Sequence, residues 1–501
     1  MRPNFHCMKL LVGAGVLLTA PAVRAQQTLS YSNTNEISVA SGSYAPLWFT
    51  ANKYGLSSAK DKSGYIRAGI EYDHKMKNDW RLAAALDLAA AWNQPSTFIV
   101  QQAYVDVGWK KATISIGSKE RAGYPLEKDM ALSSGMMVEG PNARPVPQVR
   151  IQLDDYVNVP LTHKWLGIKG HMAYGLYTDW KWQKDFVAPS NPDKEIYNYY
   201  TKRVWYHSKS LALRIGNKEK FPVEFEVGLL DAAQFGGDQM YKLADGTEVK
   251  YKDMSRGFSS FKDAFIPKHE STLGNVSGNH CGSWNFALTA YLGEWKLRTY
   301  LEHYYEDHSQ MFWQYGRWKD GQIGVELTLP RNKFLTAALY EGICTKDQTG
   351  PILYDAPAGS FKEIQQSGAD NYFNNWEYMG WQHFGQTMGL SLIPGPQYND
   401  DHTNYIHSSR IRANHFGFKG NPSEEWSWRM LFSSVRHFGT YKYPLDKERK
   451  QFSSLFEVAY APRQWKGFST RLALGLDRGN YLGNSTGMML TLCKRGTILH
   501  K

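Results

Sequence analysis

The chain has 501 residues, of which 42% are hydrophobic, 21% charged and 14% aromatic, and its formal net charge is +11. The mean hydropathy of −0.51 is hydrophilic, and no apolar run of about 20 residues follows residue 25, which excludes a polytopic helical membrane protein. The apolar content also excludes a disordered chain.

The first 25 residues have the pattern of a secretory signal peptide. Arg2 and Lys9 precede the apolar stretch 10–20, and small residues occupy the −3 and −1 positions of a cleavage site after Ala25. We therefore predict cleavage at that site. Because no linker divides the rest of the chain, residues 26–501 are expected to form a single domain.

Strict alternation of side chains begins at Trp80. The even-numbered residues from Trp80 to Trp92 are all apolar, whereas the odd-numbered ones are small or polar and include Arg81 and Asp87. Successive side chains of a strand point to opposite faces, so one face of this strand is wholly apolar. A tilted strand of this length spans roughly 28 Å, close to the apolar band of an outer-membrane barrel, which is about 25 Å tall.

The same alternation recurs at 65–72, 295–302 and 471–477, and polar stretches lie between such segments. The longest stretches are 179–202, 236–274, 305–321 and 345–376, and they alternate with tight turns such as 77–79 and 109–111. Short turns on one side and long loops on the other are typical of outer-membrane barrels. We predict an all-β fold, a transmembrane antiparallel β-barrel, in preference to a soluble all-β protein.

Several short motifs carry a resemblance to a known family. They are Pro46-Leu47-Trp48 with Asn52, Asn142-Ala143-Arg144-Pro145-Val146-Pro147, Ala232-Ala233-Gln234-Phe235-Gly236-Gly237, Gly278-Asn279-His280-Cys281-Gly282-Ser283, Glu306-Asp307-His308-Ser309 and Asp370-Asn371-Tyr372-Phe373-Asn374-Asn375. In this order, from about residue 40 to residue 495, the set resembles the Wzi-type capsule assembly family of outer-membrane proteins.

The resemblance implies a barrel of about 18 strands whose lumen is occluded by loops and short helices. It also implies a lectin-like, non-enzymatic protein of the bacterial outer membrane that assists attachment or assembly of capsular or exopolysaccharide. We expect its partners to be that polysaccharide and the outer-membrane lipids, including lipopolysaccharide, and we expect a monomer. No cofactor is expected.

Sugars present apolar C–H faces and many hydroxyls, so a sugar site needs aromatic rings beside carboxylates, amides and arginine. Two loops offer this combination, and a third supplies an arginine between prolines. The candidate ligand-binding residues are Asp370, Asn371, Tyr372, Asn374 and Trp376, then Glu306, Asp307 and Trp313, and Arg144. The alternative role of these rings is packing, either within the barrel or at the membrane surface. The alternative role of Arg144 is to fix a loop.

Other functions are weaker interpretations of the sequence. The segment 483–487 matches G-x-S-x-G, but strand patterns on both sides indicate a hairpin rather than a nucleophile elbow. Glu224 and Glu226 share one face of a strand, which a wet lumen explains as well as catalysis does. Histidine spacings do not indicate a metal site. Three of the four cysteines follow the signal peptide, so the pairing of Cys281 with Cys344 stays open. Nucleic acid is not an expected partner. A porin-like channel for small polar solutes is the main alternative function.

Overall fold

A computed structural model describes residues 26–123, 125–266, 278–306, 311, 320–348 and 370–501. The predicted signal peptide and the candidate ligands Asp307 and Trp313 lie outside these residues. The described part is dominated by strands, as the alternation predicts, and its helices are short.

The strands in chain order are β1 (Gln26–Ala40), β2 (Lys62–Lys75), β3 (Trp80–Trp92), β4 (Phe98–Trp109), β5 (Ala112–Ser118), β6 (Gln148–Leu153), β7 (Val157–Asn158), β8 (Leu166–Leu176), β9 (Tyr199–Lys202), β10 (Trp205–Ile215), β11 (Val223–Phe235), β12 (Gly237–Lys242), β13 (Glu248–Met254), β14 (Asn279–Leu292), β15 (Trp295–Tyr305), β16 (Gly321–Thr328), β17 (Ala337–Cys344), β18 (Gln382–His383), β19 (Gln386–Thr387), β20 (Ile411–Gly420), β21 (Trp426–Gly439), β22 (Pro444–Tyr460), β23 (Phe468–Gly479) and β24 (Ser485–His500). The α-helices are α1 (Leu47–Thr50), α2 (Trp180–Phe186) and α3 (Phe258–Phe265). Single 3₁₀ turns occupy Lys77–Asp79, Pro192–Lys194 and Pro396–Tyr398. No helix in the described ranges is both long enough and apolar enough to cross a membrane.

Eighteen of the described strands form a closed antiparallel barrel. Each pairs with its neighbours around the ring, and the ring closes where β1 pairs with β24. The two-residue strand β7 adds to β8 and brings the sheet to 19 strands. Closure leaves no open edge among these strands, which is what a β-structure needs in a bilayer. The predicted antiparallel barrel is confirmed.

The faces of β3 are those that the sequence predicts. Leu86 points outward and is 44% exposed, whereas Asp87 points into the lumen and is 5% exposed. Outward-facing Ile66 and Ile70 on β2 and Leu474 on β23 are likewise exposed. A surface of exposed aliphatic side chains around the barrel is stable against lipid and not against water.

Tryptophans mark one end of this apolar band. Six exposed indoles lie at or beside strand ends on the same side of the barrel: Trp80, Trp109, Trp165, Trp295, Trp426 and Trp465. The rings of Trp80 and Trp109, on adjacent strands, are 6.5 Å apart between centroids. An indole has an apolar body and one N–H donor, so it is most stable where the apolar band meets water. We call these six residues the tryptophan girdle.

Connections differ in length between the two ends of the barrel. The girdle end has short turns, such as 76–79 and 110–111, and we call it the short-turn end. The opposite end has the long loops, which include 41–61, 119–147, 177–204, 236–278 and 345–410. The described strands that flank the long polar stretches of the sequence therefore all end on the same side of the barrel, as predicted.

Two of these loops cross the lumen. In loop 119–147, the backbone N–H of Ser134 donates to Glu341 on β17 (2.8 Å) and that of Met137 donates to Glu302 on β15 (2.8 Å), far around the ring from β5 and β6. Loop 345–410 joins it, because the indole of Trp381 donates to the carbonyl of Val138 (2.8 Å). Such bonds, together with apolar packing, hold a plug inside the lumen.

Carboxylates on the lumen face are paired with cations. Arg67 binds Asp87 through two nitrogens, and Arg298 binds Glu226. Glu224 accepts the hydroxyl of Tyr291 (2.9 Å), so the two glutamates of the β11 pair have structural partners. Segment 483–487 lies in the turn and first residues of the hairpin between β23 and β24, as predicted. The described cysteines are free thiols: Cys281, Cys344 and Cys493.

Candidate functional site

A small three-stranded sheet stands at the long-loop end, outside the barrel wall. β12 pairs with β9 on one side and with β13 on the other, which joins two loops that are separate in sequence. Tyr199 and Tyr241 are directly opposite each other across β9 and β12. Side chains of a strand alternate, so Tyr199 faces outward while its neighbour Tyr200 is fully buried.

Aromatic rings gather on the outer face of this sheet. The ring centroid of Tyr199 lies 4.9 Å from that of Tyr251, 5.8 Å from that of Tyr197 and 6.1 Å from that of Trp376. Trp376 is 60% exposed and Tyr251 is 52% exposed. The Nζ atom of Lys442 then bridges Trp376 and Tyr443, at 5.3 and 5.2 Å from the two ring centroids. We define the aromatic surface as Tyr197, Tyr199, Tyr241, Tyr251, Trp376 and Tyr443.

Ion pairs behind the aromatic surface fix its backbone. Glu248 on β13 accepts from Lys184, Lys202 and the hydroxyl of Tyr200, and these bonds lower its pKa to about 2. Asp238 on β12 is buried among cations, with Arg203 its nearest partner, and despite the opposing effect of desolvation those cations lower its pKa. A carboxylate held by several donors stays ionised and orders the loops that supply them.

The backbone of Trp376 is anchored to the outer sheet. Its carbonyl accepts the side-chain amide of Gln239 on β12 (2.7 Å). The next residue, Glu377, forms an ion pair with Lys252 on β13. With its backbone anchored here and its ring beside Tyr199 and Lys442, the indole is ordered and still largely exposed, an arrangement that lets a ring bind a ligand with little loss of conformational entropy.

The structure separates the other candidates of segment 370–376 from Trp376. Tyr372 is 1% exposed and packs on Tyr304 at 4.5 Å between ring centroids. Asn374 is buried and bonds to the backbone of Ile406 through both ends of its amide. Asp370 and Asn371 are half-buried, and the amide of Asn371 donates to the hydroxyl of Tyr405. Burial does not support Tyr372 or Asn374 as ligand contacts, because no face is left for a sugar.

Glu306 belongs to the same interior. Its Oε1 atom accepts the hydroxyl of Tyr304 (2.8 Å) and the backbone N–H of Phe373 (2.8 Å). Phe373 has a φ of +66°, in the left-handed region that a non-glycine residue rarely adopts, so a bond to its N–H helps to hold this turn. The structure thus gives Glu306 a part in positioning the plug.

Arg144 lies in the plug and contacts none of the residues above. Its guanidinium stacks on Phe384 at 3.7 Å from the ring centroid, and its carbonyl accepts the ring N–H of His383 (2.7 Å). Burial lowers its pKa to about 10, which still leaves it charged at neutral pH. These contacts agree with the fixing of a loop, the alternative interpretation of this residue, rather than with an exposed ligand contact.

Five aromatic residues of the surface were not among the sequence candidates: Tyr197, Tyr199, Tyr241, Tyr251 and Tyr443. The spacing of Tyr197 and Tyr199, two apart in a polar loop, was a usable signal for one exposed face. Tyr241, Tyr251 and Tyr443 come from other loops. Tyr241 reaches the surface because β12 pairs with β9, and Tyr251 because β13 pairs with β12. In the described ranges, no group of three or more His, Cys, Asp and Glu side chains could hold a metal ion.

The fold is similar to that of solved outer-membrane barrels. Wzi, described as an outer-membrane protein involved in group 1 capsule assembly in Escherichia coli and as a carbohydrate-binding β-barrel, has a TM-score of 0.56 and 12% sequence identity, over 98% of this chain and 89% of its own. OccD3 (OpdP) of Pseudomonas aeruginosa has a TM-score of 0.46 and 8% identity, over 94% and 92% of the two chains. A loop-deletion mutant of OmpT, an outer-membrane protein of Vibrio cholerae, has a TM-score of 0.40 and 7% identity, over 95% and 100%.

No protein-family model and no curated protein matches the sequence. At such identities the similarity establishes the fold, which is that of an outer-membrane β-barrel.

Proposed function

We propose that this protein is a surface protein of the bacterial outer membrane that assists attachment or assembly of capsular or exopolysaccharide, without catalysis. The aromatic surface is the observation that carries this proposal. It lies at the long-loop end, opposite the tryptophan girdle, and therefore outside the apolar band.

The chemistry of the aromatic surface suits a sugar chain. Flat rings offer apolar area to the C–H faces of sugar rings, and the hydroxyls of the tyrosines and the ammonium of Lys442 can bond to sugar oxygens. Several rings at spacings of about 5–6 Å form an extended platform rather than a closed pocket. An extended platform suits a polymer bound along its length.

The sequence resemblance to the Wzi-type family supports the same proposal, as does the description of Wzi as carbohydrate-binding. We propose further that the chain is a monomeric single-domain barrel that reaches the outer membrane after removal of residues 1–25. Lipopolysaccharide would then surround the barrel, and its phosphates would meet a chain of net positive charge.

The test is the substitution Trp376→Ala in cells that make the polysaccharide. We expect a larger fraction of the polysaccharide to be released into the medium, with an unchanged amount of folded, heat-modifiable barrel. Trp465→Ala is the matched control, because Trp465 is 58% exposed but lies in the girdle at the other end. If Trp376→Ala retains as much polysaccharide per folded molecule as Trp465→Ala, the aromatic surface does not bind the polymer.

A porin-like channel is the second candidate. It is favoured by one observation, namely that charged side chains such as Glu71 face the lumen near the short-turn end and are exposed. The plug opposes it. Conductance in planar bilayers separates the two functions, and we expect none above the leak of the bilayer. Stable single-channel currents would favour the porin.

A further inference from the structure

A second candidate site lies inside the barrel, beneath the plug and away from the aromatic surface. It is a cavity of about 270 Å³ whose lining includes Trp48, Asn52 and Tyr54 from loop 41–61 and Tyr65, Glu457 and Arg471 from the barrel wall. We call it the luminal cavity. Since one water occupies about 30 Å³ of liquid, the cavity has room for a molecule the size of one sugar residue.

One cation of the luminal cavity has no carboxylate partner among the described residues. Its lining carries three carboxylates and four cations. Each carboxylate has a cation of the lining as its partner, in the pairs Lys53–Glu36, Arg67–Glu120 and Arg429–Glu457. The fourth cation is Arg471, which forms no ion pair within the described part of the chain. Arg67 is shared with Asp87, just outside the lining, so the observation that matters is the unpaired guanidinium of Arg471 and not a net charge.

Two polar atoms of the lining are also unpartnered. Trp48 is only 4% exposed, and its indole Nε1 is buried and bonds to no described residue. The amide Oδ1 of Asn52 is likewise without a partner, while its Nδ2 donates to the carbonyl of Ser133 (3.1 Å). A buried donor and a buried acceptor that bond to nothing cost free energy, and a ligand with hydroxyls can satisfy both.

These groups are held in place by the barrel wall. The backbone N–H of Leu47, at the start of α1, donates to Asp477 on β23 (3.0 Å). The ring of Trp48 packs against His415 on β20 at 5.0 Å between centroids. Helix α1 is therefore tied to two strands, and its indole cannot rotate toward solvent to find a water partner.

The luminal cavity is open to solvent at Arg471. Leu472 and Leu474 point outward on β23, so Arg471 and its alternate neighbours on that strand point inward. Arg471 is nonetheless exposed, which requires water in the lumen at this depth. Met130 and Ser133 of the plug line other parts of the cavity, so the exposed Arg471 marks the side that a ligand can reach.

We propose that the luminal cavity binds one hexuronate residue, a sugar that carries a carboxylate. Arg471 takes the carboxylate, Trp48 Nε1 and Asn52 Oδ1 take hydroxyls, and the rings of Trp48, Tyr54 and Tyr65 provide the apolar wall. A guanidinium matches a carboxylate in charge and in planar geometry. This site is independent of the aromatic surface, which faces the opposite end of the molecule.

The probe is D-glucuronate, added to the purified full-length protein in detergent micelles and followed by saturation-transfer NMR, with D-glucose as the neutral sugar. We expect D-glucuronate to bind and D-glucose to bind more weakly. Arg471→Gln should weaken glucuronate binding about tenfold, as loss of one hydrogen bond to a charged group implies, and should leave glucose binding unchanged.

Arg495→Gln is the matched control. Arg495 lies on the adjacent strand β24, points into the lumen by the alternation of Leu490 and Leu492, is exposed and does not line the cavity. We expect the Arg495→Gln variant to bind glucuronate as the unchanged protein does. Trp48→Phe removes the N–H donor and should weaken the binding of both sugars. It is the second test variant if Arg471→Gln fails to give a heat-modifiable barrel.

Three results would overturn the proposal: no transfer to glucuronate, equal binding of glucose and glucuronate, or equal losses in Arg471→Gln and Arg495→Gln. The last would mean that the lumen attracts anions in general. None of these results bears on polysaccharide retention in Trp376→Ala cells, so the two proposals can fail separately.

Discussion

Two aromatic clusters of this protein are both rich in tyrosine but have opposite environments. Tyr304 of the barrel wall packs against Tyr372 and Phe373 of the plug, and all three are almost completely buried, whereas the aromatic surface is open to solvent. Phe373 and Trp376 are only three residues apart, yet one is fully buried and the other is 60% exposed. What separates them is where their backbone is tied: Phe373 to Glu306 in the interior, and Trp376 to Gln239 on the outer sheet.

Truncation of a ring should distinguish the two clusters most strongly. Tyr372→Ala should lower the free energy of unfolding by about 3–5 kcal/mol, because it removes a buried ring and leaves a cavity. Trp376→Ala should change it by less than about 0.5 kcal/mol. The measurement is the urea midpoint of the heat-modifiable band in detergent. Comparable losses in the two variants would show that Trp376 is also a packing residue.

Removal of the Glu306 carboxylate tests why Phe373 stays inside. Glu306→Leu leaves the hydroxyl of Tyr304 and the N–H of Phe373 without this acceptor and should cost about 1–3 kcal/mol of unfolding free energy. Glu306→Gln keeps an oxygen at the same place and should cost less. The same urea titration reports both. Were the two variants equally unstable, charge rather than hydrogen bonding would hold the plug.

Acid should loosen the aromatic surface before it loosens the barrel. The pKa of Glu248 is lowered from 4.5 to about 2 in the folded sheet. Its contribution to stability is therefore complete above pH 4.5 and is lost as pH falls toward 2. Because this carboxylate is partly solvated, the effect is modest. We expect pepsin to cut within 237–254 increasingly as pH falls through this window.

Glu248→Gln is the control for this acid effect. The variant has no carboxyl group to titrate at residue 248, so its cleavage at pH 4.5 should already be near the acid level of the unchanged protein. Cleavage that still rises as steeply with acid in Glu248→Gln would assign the effect to another group, with Asp238 the next candidate because its pKa is also lowered.

The smallest expected effect is at Lys442. Its contacts with Trp376 and Tyr443 are solvent-exposed, where a cation–π contact contributes about 0.5–1 kcal/mol. Lys442→Gln should leave the urea midpoint unchanged and weaken polysaccharide retention by about two- to fivefold. Lys442→Arg retains a cation over the rings and should behave as the unchanged protein. Equal losses of retention in Lys442→Gln and Lys442→Arg would show that retention depends on the lysine ammonium itself and not only on a positive charge.

The barrel could be predicted from the sequence because the alternation that specifies each strand is a local pattern. Alternation from Trp80 to Trp92 is visible within one strand, and it gave the outward face of Leu86 and the inward face of Asp87 correctly. The turn at 483–487 was recognised in the same way, from the strand pattern on either side of it. A barrel strand has only two faces, so a short window suffices to assign them.

The aromatic surface was only partly predictable because its rings come from loops that are distant in the sequence. Trp376 was singled out from its own loop, but so was Tyr372, which has the same kind of neighbours and lies inside the plug. Tyr241 and Tyr251 join the surface only through the pairing of β12 with β9 and β13. Composition identifies a loop rich in aromatic and polar residues; it does not say which of its rings faces outward.

The tryptophan girdle also has a mechanical consequence. Each indole is less stable when it is moved into the apolar band or out into water, so the girdle resists displacement of the barrel along the membrane normal. A polymer held at the long-loop end would pull along that normal, roughly parallel to the strands. Each strand pair then shares the load over its whole ladder in shear, as in β1 and β24 with partners from Thr28 to Ala40. A barrel of this kind can serve as an anchor under tension, and the loops above it are the parts that yield first.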